Sequence, residues 1–137
     1  AMFVSIGVGV VSALLGWLPL YFMLYRCWAA IQHVQVRTTP GKAVGFCFIP
    51  LFNLYWNFVA MNGFVQDFNA VVQFEGRSNL KIPPAIGLFP PILLCVNVVP
   101  YIGCLSAALY LIFLPIYIMY VASRVDRYVC EGQMARR

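Results

Sequence analysis

Three asparagines are the polar side chains most deeply enclosed by apolar sequence: Asn53 and Asn57, four residues apart, and Asn97 on a separate segment. A spacing of four puts Asn53 and Asn57 on one helical face. Pro50, just before them, removes a backbone donor. Amide side chains beside a proline-broken backbone suit two roles. They hydrogen-bond neighbouring helices together, or they line a water-filled path as a pore or substrate conduit. Both readings stand, with Pro50, Asn53, Asn57 and Asn97 as the residues concerned.

Ionisable chemistry is scarcer. The acids Asp67, Glu75, Asp126 and Glu131 and the sole histidine, His33, all lie outside the long apolar runs. Ionisable groups inside spans mark most proton relays, so proton-coupled transport through a carboxylate is disfavoured. One histidine excludes a histidine-rich metal cage within one chain, and no cysteine beside it suggests a Cys/His nucleophile pair. His33 reads as a solvated surface residue, and a paired-carboxylate site requires Asp67 and Asp126 to meet in space. The five cysteines are dispersed, odd in number, and without metal-knuckle or redox-pair spacing. No catalytic residue, metal or cofactor is implied, and the chain reads as a non-enzyme.

The basic residues point to a surface instead. Nine Lys and Arg against four acids give a net charge of +5. Arg26, Arg37, Lys42, Arg124 and Arg127 flank the apolar runs, where each contributes about 1 kcal/mol to contact with anionic lipid headgroups. They are scattered along membrane-flanking segments, which argues against nucleic-acid binding.

The elements that must position these groups follow from composition. Of 137 residues, 63% are apolar and 9% charged, against about 45–50% and about 25% in soluble domains. Residues Ala1 to Tyr25, Ala43 to Gln66 and Ile82 to Ser123 carry no charge. About 20 residues at a 1.5 Å rise cross a hydrocarbon core of about 30 Å. The expected fold is therefore an all-α integral membrane bundle, a single multi-pass domain over residues 1–137 with the lipid bilayer as its surroundings. The third run is 42 residues long, roughly two spans, and must fold back near Pro100 and Gly103.

Span one, about Phe3 to Tyr25, carries Ser5, Gly9, Ser12 and Gly16, a smooth strip for close helix approach. It lacks a basic leading region and a small-residue cleavage site, so it reads as a retained span rather than a secretory leader. From Arg26 to Val36, apolar Trp28, Ile31 and Val34 alternate with polar residues, predicting a short interfacial helix ended by Thr39-Pro40-Gly41. The run from Ala43 to Gln66, broken by Pro50 and Asn53, fits a kinked crossing helix or a re-entrant hairpin. Phe64, Val65, Phe68, Val71 and Val72 share a face opposite Asp67, Asn69, Gln73 and Glu75, predicting a second interfacial helix. Pro83-Pro84 starts the next helix, which Pro90-Pro91 is expected to kink or restart. The last span, from Cys104 to about Tyr120, runs on into a tail striped by Val121, Val125, Tyr128 and Val129.

Charge counting chooses between topologies. With four crossing helices, three basic residues face six across the membrane; with three full spans and a re-entrant segment, all nine share one face. The positive-inside rule then favours the second arrangement, with the N-terminus outside and the C-terminus cytoplasmic. Leu18-Pro19-Leu20-Tyr21-Phe22-Met23 is similar to Leu114-Pro115-Ile116-Tyr117-Ile118-Met119, and both precede arginine. As a trace of repetition, this match predicts that the first and last spans run parallel.

The stretch Arg37-Thr38-Thr39-Pro40-Gly41-Lys42-Ala43-Val44-Gly45, followed by Ile49-Pro50-Leu51-Phe52-Asn53-Leu54, resembles an uncharacterised group of bacterial multi-pass membrane domains. That group shares the segments Pro-Gly-x-Ala-Val-Gly and Ile-Pro-x-x-Asn-Leu, and its members often carry a second proline where this chain has Trp56-Asn57. The resemblance implies a bacterial inner membrane and supplies no activity, substrate or cofactor. The expected role is a non-enzymatic module that associates with itself or a larger membrane complex, with pore lining as one use of the asparagines. An anchor or scaffold for a soluble domain, or an accessory subunit, is the alternative.

Overall fold

A computed structural model of the chain describes residues 17–49, 51–97 and 103–135, leaving aside the side chains of Gly103 and Cys104. These residues are all-helical, with no strand among them. Pro50, Pro100 and the small-residue strip of span one fall outside the described residues.

Helix α1, residues 17–30, passes through Arg26 without a break. No glycine or proline interrupts it from Leu20 to Ala30, and an arginine ends an apolar run, not a helix. The separate interfacial helix expected from Arg26 to Val36 is thereby corrected. Residues 26–30 extend α1, a turn and an extended connector follow, and Trp28 and Ile31 are fully buried rather than lying on a surface. The Gln32 amide closes this end by donating to the Trp28 and Thr38 carbonyls at 3.1 and 3.0 Å.

Thr39-Pro40-Gly41 starts a helix as well as stopping the preceding one. In α2 (Pro40–Gly45), Thr39 is the N-cap, its hydroxyl accepting from the Lys42 N–H, and Pro40 takes the first position, where its missing donor costs nothing. A short 3₁₀ turn, Phe46–Phe48, ends this arm, and the next described residue after Ile49, Leu51, adopts φ +63°. The chain returns as α3 (Phe52–Asn57), a π-helical stretch (Phe58–Gly63) and α4 (Phe64–Phe74) in unbroken succession. The second interfacial helix is thus the continuation of the returning arm, and its five predicted apolar positions are all buried.

The two ends of this segment meet. Arg37 grips the Asp67 carboxylate at 2.7 and 2.9 Å, and a Cβ placed on Gly63 would come within 3.3 Å of the Arg37 side chain. Farther in, the Trp56 indole donates to the Ala43 carbonyl at 3.0 Å while its ring meets Phe46 edge-on at 4.7 Å. Residues 43–49 and 51–66 therefore pack against each other as two arms rather than continuing as one helix.

Helix α5 (Pro84–Val96) begins at the predicted diproline and continues through Pro90 and Pro91. Helix α6 (Gly103–Met134) is a single element across Pro115. The two are antiparallel: Phe89 stacks on Phe113 at 5.3 Å, and Ser106 donates to Asn97 at 2.9 Å. By contrast α1 and α6 run parallel, since Trp17 meets Tyr110 at one level and Arg26 meets Asp126 at the other. That is the relation the internal sequence match predicts. Two helices, Ser78–Val96 and Leu105–Met134, are long and apolar enough to cross a membrane.

Candidate functional site

The charged residues gather at one end of the bundle. Arg26 pairs with Asp126 at 3.3 Å, Arg37 with Asp67, and Arg124 donates to the Asn79 carbonyl at 2.8 Å while its guanidinium lies over the Tyr120 ring. Lys42 and Arg127 are exposed. Asp67 and Asp126 are each engaged by a different arginine and form no paired-carboxylate site.

The asparagines divide into two local sets. Asn57 is buried and donates to both the carbonyl and the side-chain oxygen of Asn53, one turn back. Asn97 ends α5, donating to the Leu93 carbonyl at 3.0 Å and accepting from Ser106. The hydrogen bonds of Asn97 thus run to α5 and α6 rather than to the Asn53–Asn57 pair.

A different constellation, absent from the sequence reading, joins three elements. Helix α4 ends in a tight reversal in which Gly76 N–H bonds the Gln73 carbonyl and Arg77 N–H bonds the Val72 carbonyl, at 3.2 and 2.7 Å. This double closure needs a left-handed residue, and Gly76 supplies φ +72°. Glu75 and Arg77 are thereby presented together. His33 reaches them from the turn after α1, with Nε2 at 3.0 Å from Glu75 Oε1. Tyr128, on the buried stripe of α6, donates its hydroxyl to the same Oε1 at 2.9 Å and stands 3.0 Å from His33 Nε2. Its ring stacks on His33 and lies under the Arg77 guanidinium at 4.8 Å. Arg77 also donates to the Tyr128 carbonyl at 3.1 Å and sits 3.6 and 3.7 Å from Glu75 and Glu131. An open cleft of about 550 Å³ is lined by His33, Glu75, Arg77 and Tyr128 together with Val129, Gly132 and Gln133.

Two signals in the sequence point here. A tyrosine closing an apolar stripe needs a partner for its hydroxyl, and a glycine between Glu75 and Arg77 marks a turn that aligns opposite charges. Neither identifies His33 as the third member, because its contacts span 42 and 95 residues of chain.

Burial alone would raise the Glu75 pKa, but hydrogen bonds from His33 and Tyr128, with the charges of His33 and Arg77, outweigh it and hold the carboxyl below its ordinary value of 4.5. A carboxyl with a depressed folded-state value stabilises the fold above the ordinary value and loses that contribution as pH falls through the depressed one. The groups facing it are His33, Arg77 and Tyr128, and Arg77 in turn pairs with Glu131. Thermal unfolding in detergent from pH 7 to pH 3 is expected to show wild type more stable than Glu75→Gln at neutral pH. The difference should shrink below the ordinary carboxylate value; a constant gap across this range would show that Glu75 is not held ionised by the cluster.

Among the described residues, no three His, Cys, Asp or Glu gather as a metal-binding group. Taken together, the fold and the cluster define an all-helical protein with two helices able to cross a membrane and a polar cleft at its charged end. No protein family, curated protein or solved structure matches the chain.

Proposed function

We propose that this chain is an integral membrane module that works by association, with further copies of itself or within a larger complex, and not by catalysis. The observation that carries its membrane character is the exposure of apolar helix. Only 28% of the apolar window in Leu105–Met134 is buried inside the molecule, so Leu105, Leu111, Ile112, Ile116 and Met119 present their side chains outward. A soluble core helix hides such a face; lipid or a partner helix covers this one.

In this reading residues 43–66 are re-entrant. The Arg37–Asp67 clasp holds both ends on the charged face, and Phe48 at the apex packs on Tyr21, 5.0 Å between rings. Tyr21 stands five residues before Arg26, about 7.5 Å along α1, so the hairpin enters the bilayer without crossing it. With span one complete, the bundle has three spans and one dipping segment, and the positive-inside rule places the charged end in the cytoplasm of a bacterial inner membrane, as the Pro-Gly-x-Ala-Val-Gly resemblance implies. The local pairing of Asn53 with Asn57 and of Asn97 with Ser106 favours packing over pore lining.

In a cysteine-free background, cysteines introduced at Lys42 and Arg77 are expected to react with an impermeant maleimide from the same side of sealed vesicles. Labelling from opposite faces would refute the re-entrant hairpin. For the function itself, light scattering in detergent should give a mass above one chain or above one chain of a co-purifying partner, and reconstituted liposomes should retain ions. A monomer that leaks ions, with leakage abolished by Asn57→Leu, would replace association with a conduit.

A further inference from the structure

We infer that the cleft at the charged end binds a phosphoethanolamine-type zwitterion, in which a phosphate and a primary ammonium are joined by a short linker. Arg77, Glu75 and His33 stand on the cleft wall and Glu131 flanks Arg77 beside it, so that the charges alternate, with neighbouring partners 3.0 to 3.7 Å apart. With His33 neutral the cluster carries a net charge of −1, so a purely anionic headgroup adds repulsion. Yet Arg77 is underused. Among the described residues its guanidinium makes one hydrogen bond, to the Tyr128 carbonyl, while Glu75 and Glu131 stand at 3.6 and 3.7 Å, beyond hydrogen-bond reach. Beside it Gly132 offers no side chain, so the guanidinium edge opens into the cleft; a Cβ there would stand 3.8 Å from Nη2.

A ligand of matching sign pattern satisfies both halves. Its phosphate takes the open Arg77 donors, and its ammonium donates to Glu131, whose side chain is 40% exposed and otherwise only loosely paired. Choline, with no N–H, gives Glu131 no hydrogen bond. Two sources carry this chemistry, a membrane lipid and its soluble headgroup. The site suits the first by position: the uncharged stretch of α6 ends at Ser123, and Tyr128 lies five residues on, about 7.5 Å along the helix. That is the outer reach of a headgroup layer roughly 5–7.5 Å deep on each side.

The full chain in a mild detergent, titrated with short-chain phosphatidylethanolamine, phosphatidylglycerol and phosphatidylcholine and followed by native mass spectrometry, tests this. Phosphatidylethanolamine is expected to bind about ten-fold more tightly than either other lipid, the worth of one charge-assisted hydrogen bond. Glu131→Gln, at a half-exposed position and with the fold checked by circular dichroism, should weaken phosphatidylethanolamine and strengthen phosphatidylglycerol until the two are alike. Equal or tighter phosphatidylglycerol binding by wild type, or an unchanged preference in Glu131→Gln, overturns the assignment. Glycerophosphoethanolamine competing at concentrations equal to the lipid identifies the free headgroup as ligand; competition only in large excess identifies the lipid.

Discussion

Trp28→Ala is expected to destabilise the protein by about 3–5 kcal/mol, among the largest effects of any single truncation. The indole is fully buried, meets Phe64 edge-on at 5.5 Å, and donates to the Ala60 carbonyl at 3.2 Å. Ala60 belongs to the π-helical stretch, a wider coil that commonly marks a functional or packing irregularity. The next carbonyl, of Met61, is approached by the Tyr117 hydroxyl of α6 at 3.5 Å. The irregular turn is thus where α1 and α6 are both tied to the returning arm of the hairpin. Removing the indole opens a cavity and leaves a buried carbonyl without its indole partner. Trp28→Phe separates the two terms: it keeps most of the volume and should cost about 1–3 kcal/mol for the unmade bond. Reversible unfolding in mixed micelles measures both, and a loss below about 1 kcal/mol for Trp28→Ala would mean that this junction does not hold the bundle together.

Gly87 is the second position where a single change should be felt strongly, by overpacking rather than by a void. Here α5 lies so close to the returning arm that an added Cβ would sit 2.8 Å from the Val65 methyl and 3.1 Å from the Asn62 Cα. Backbone cannot yield as a flexible side-chain tip does, and Val65 is itself fully buried. Gly87→Ala is expected to cost about 1–3 kcal/mol, and Gly87→Leu to prevent docking of α5. Because the clash is with a named methyl, Val65→Ala in the same chain should recover part of the loss. A double-mutant cycle reads that coupling; strict additivity would place the cause elsewhere.

Much of the chain's organisation was legible in its residues. Uncharged runs of helical length specify apolar helices, because hydrocarbon and protein interiors both exclude unpaired charge. The diproline at 83–84 marks a helix start because proline's fixed φ suits a first turn. The apolar face of Phe64, Val65, Phe68, Val71 and Val72 is readable because helical periodicity is local. Local signals were also misassigned. Thr39-Pro40-Gly41 reads as a stop and serves also as a start, and Arg26 reads as a boundary although α1 continues through it.

Some features depended on contacts between segments far apart in sequence. Composition left residues 43–66 open between a crossing helix and a hairpin, since proline and asparagine at mid-segment suit either. The meeting of Arg37 with Asp67, thirty residues on, brings its two ends together and is what favours the hairpin. Asn53 and Asn57 were legible as sharing a helical face, but the partner of Asn97 on α6 was not, since it depends on which helix packs beside it. His33 read as a solvated side chain, and only the packing of the α1 end against α4 and α6 sets it beside Glu75 and Tyr128. By itself the sequence determined which segments are apolar helices and where charge collects, because those follow from each residue's own solvation and its neighbours within a turn or two. Tertiary structure alone decided which charges meet and where a cleft forms, because ion pairs and hydrogen bonds act over a few ångströms that chain order does not specify.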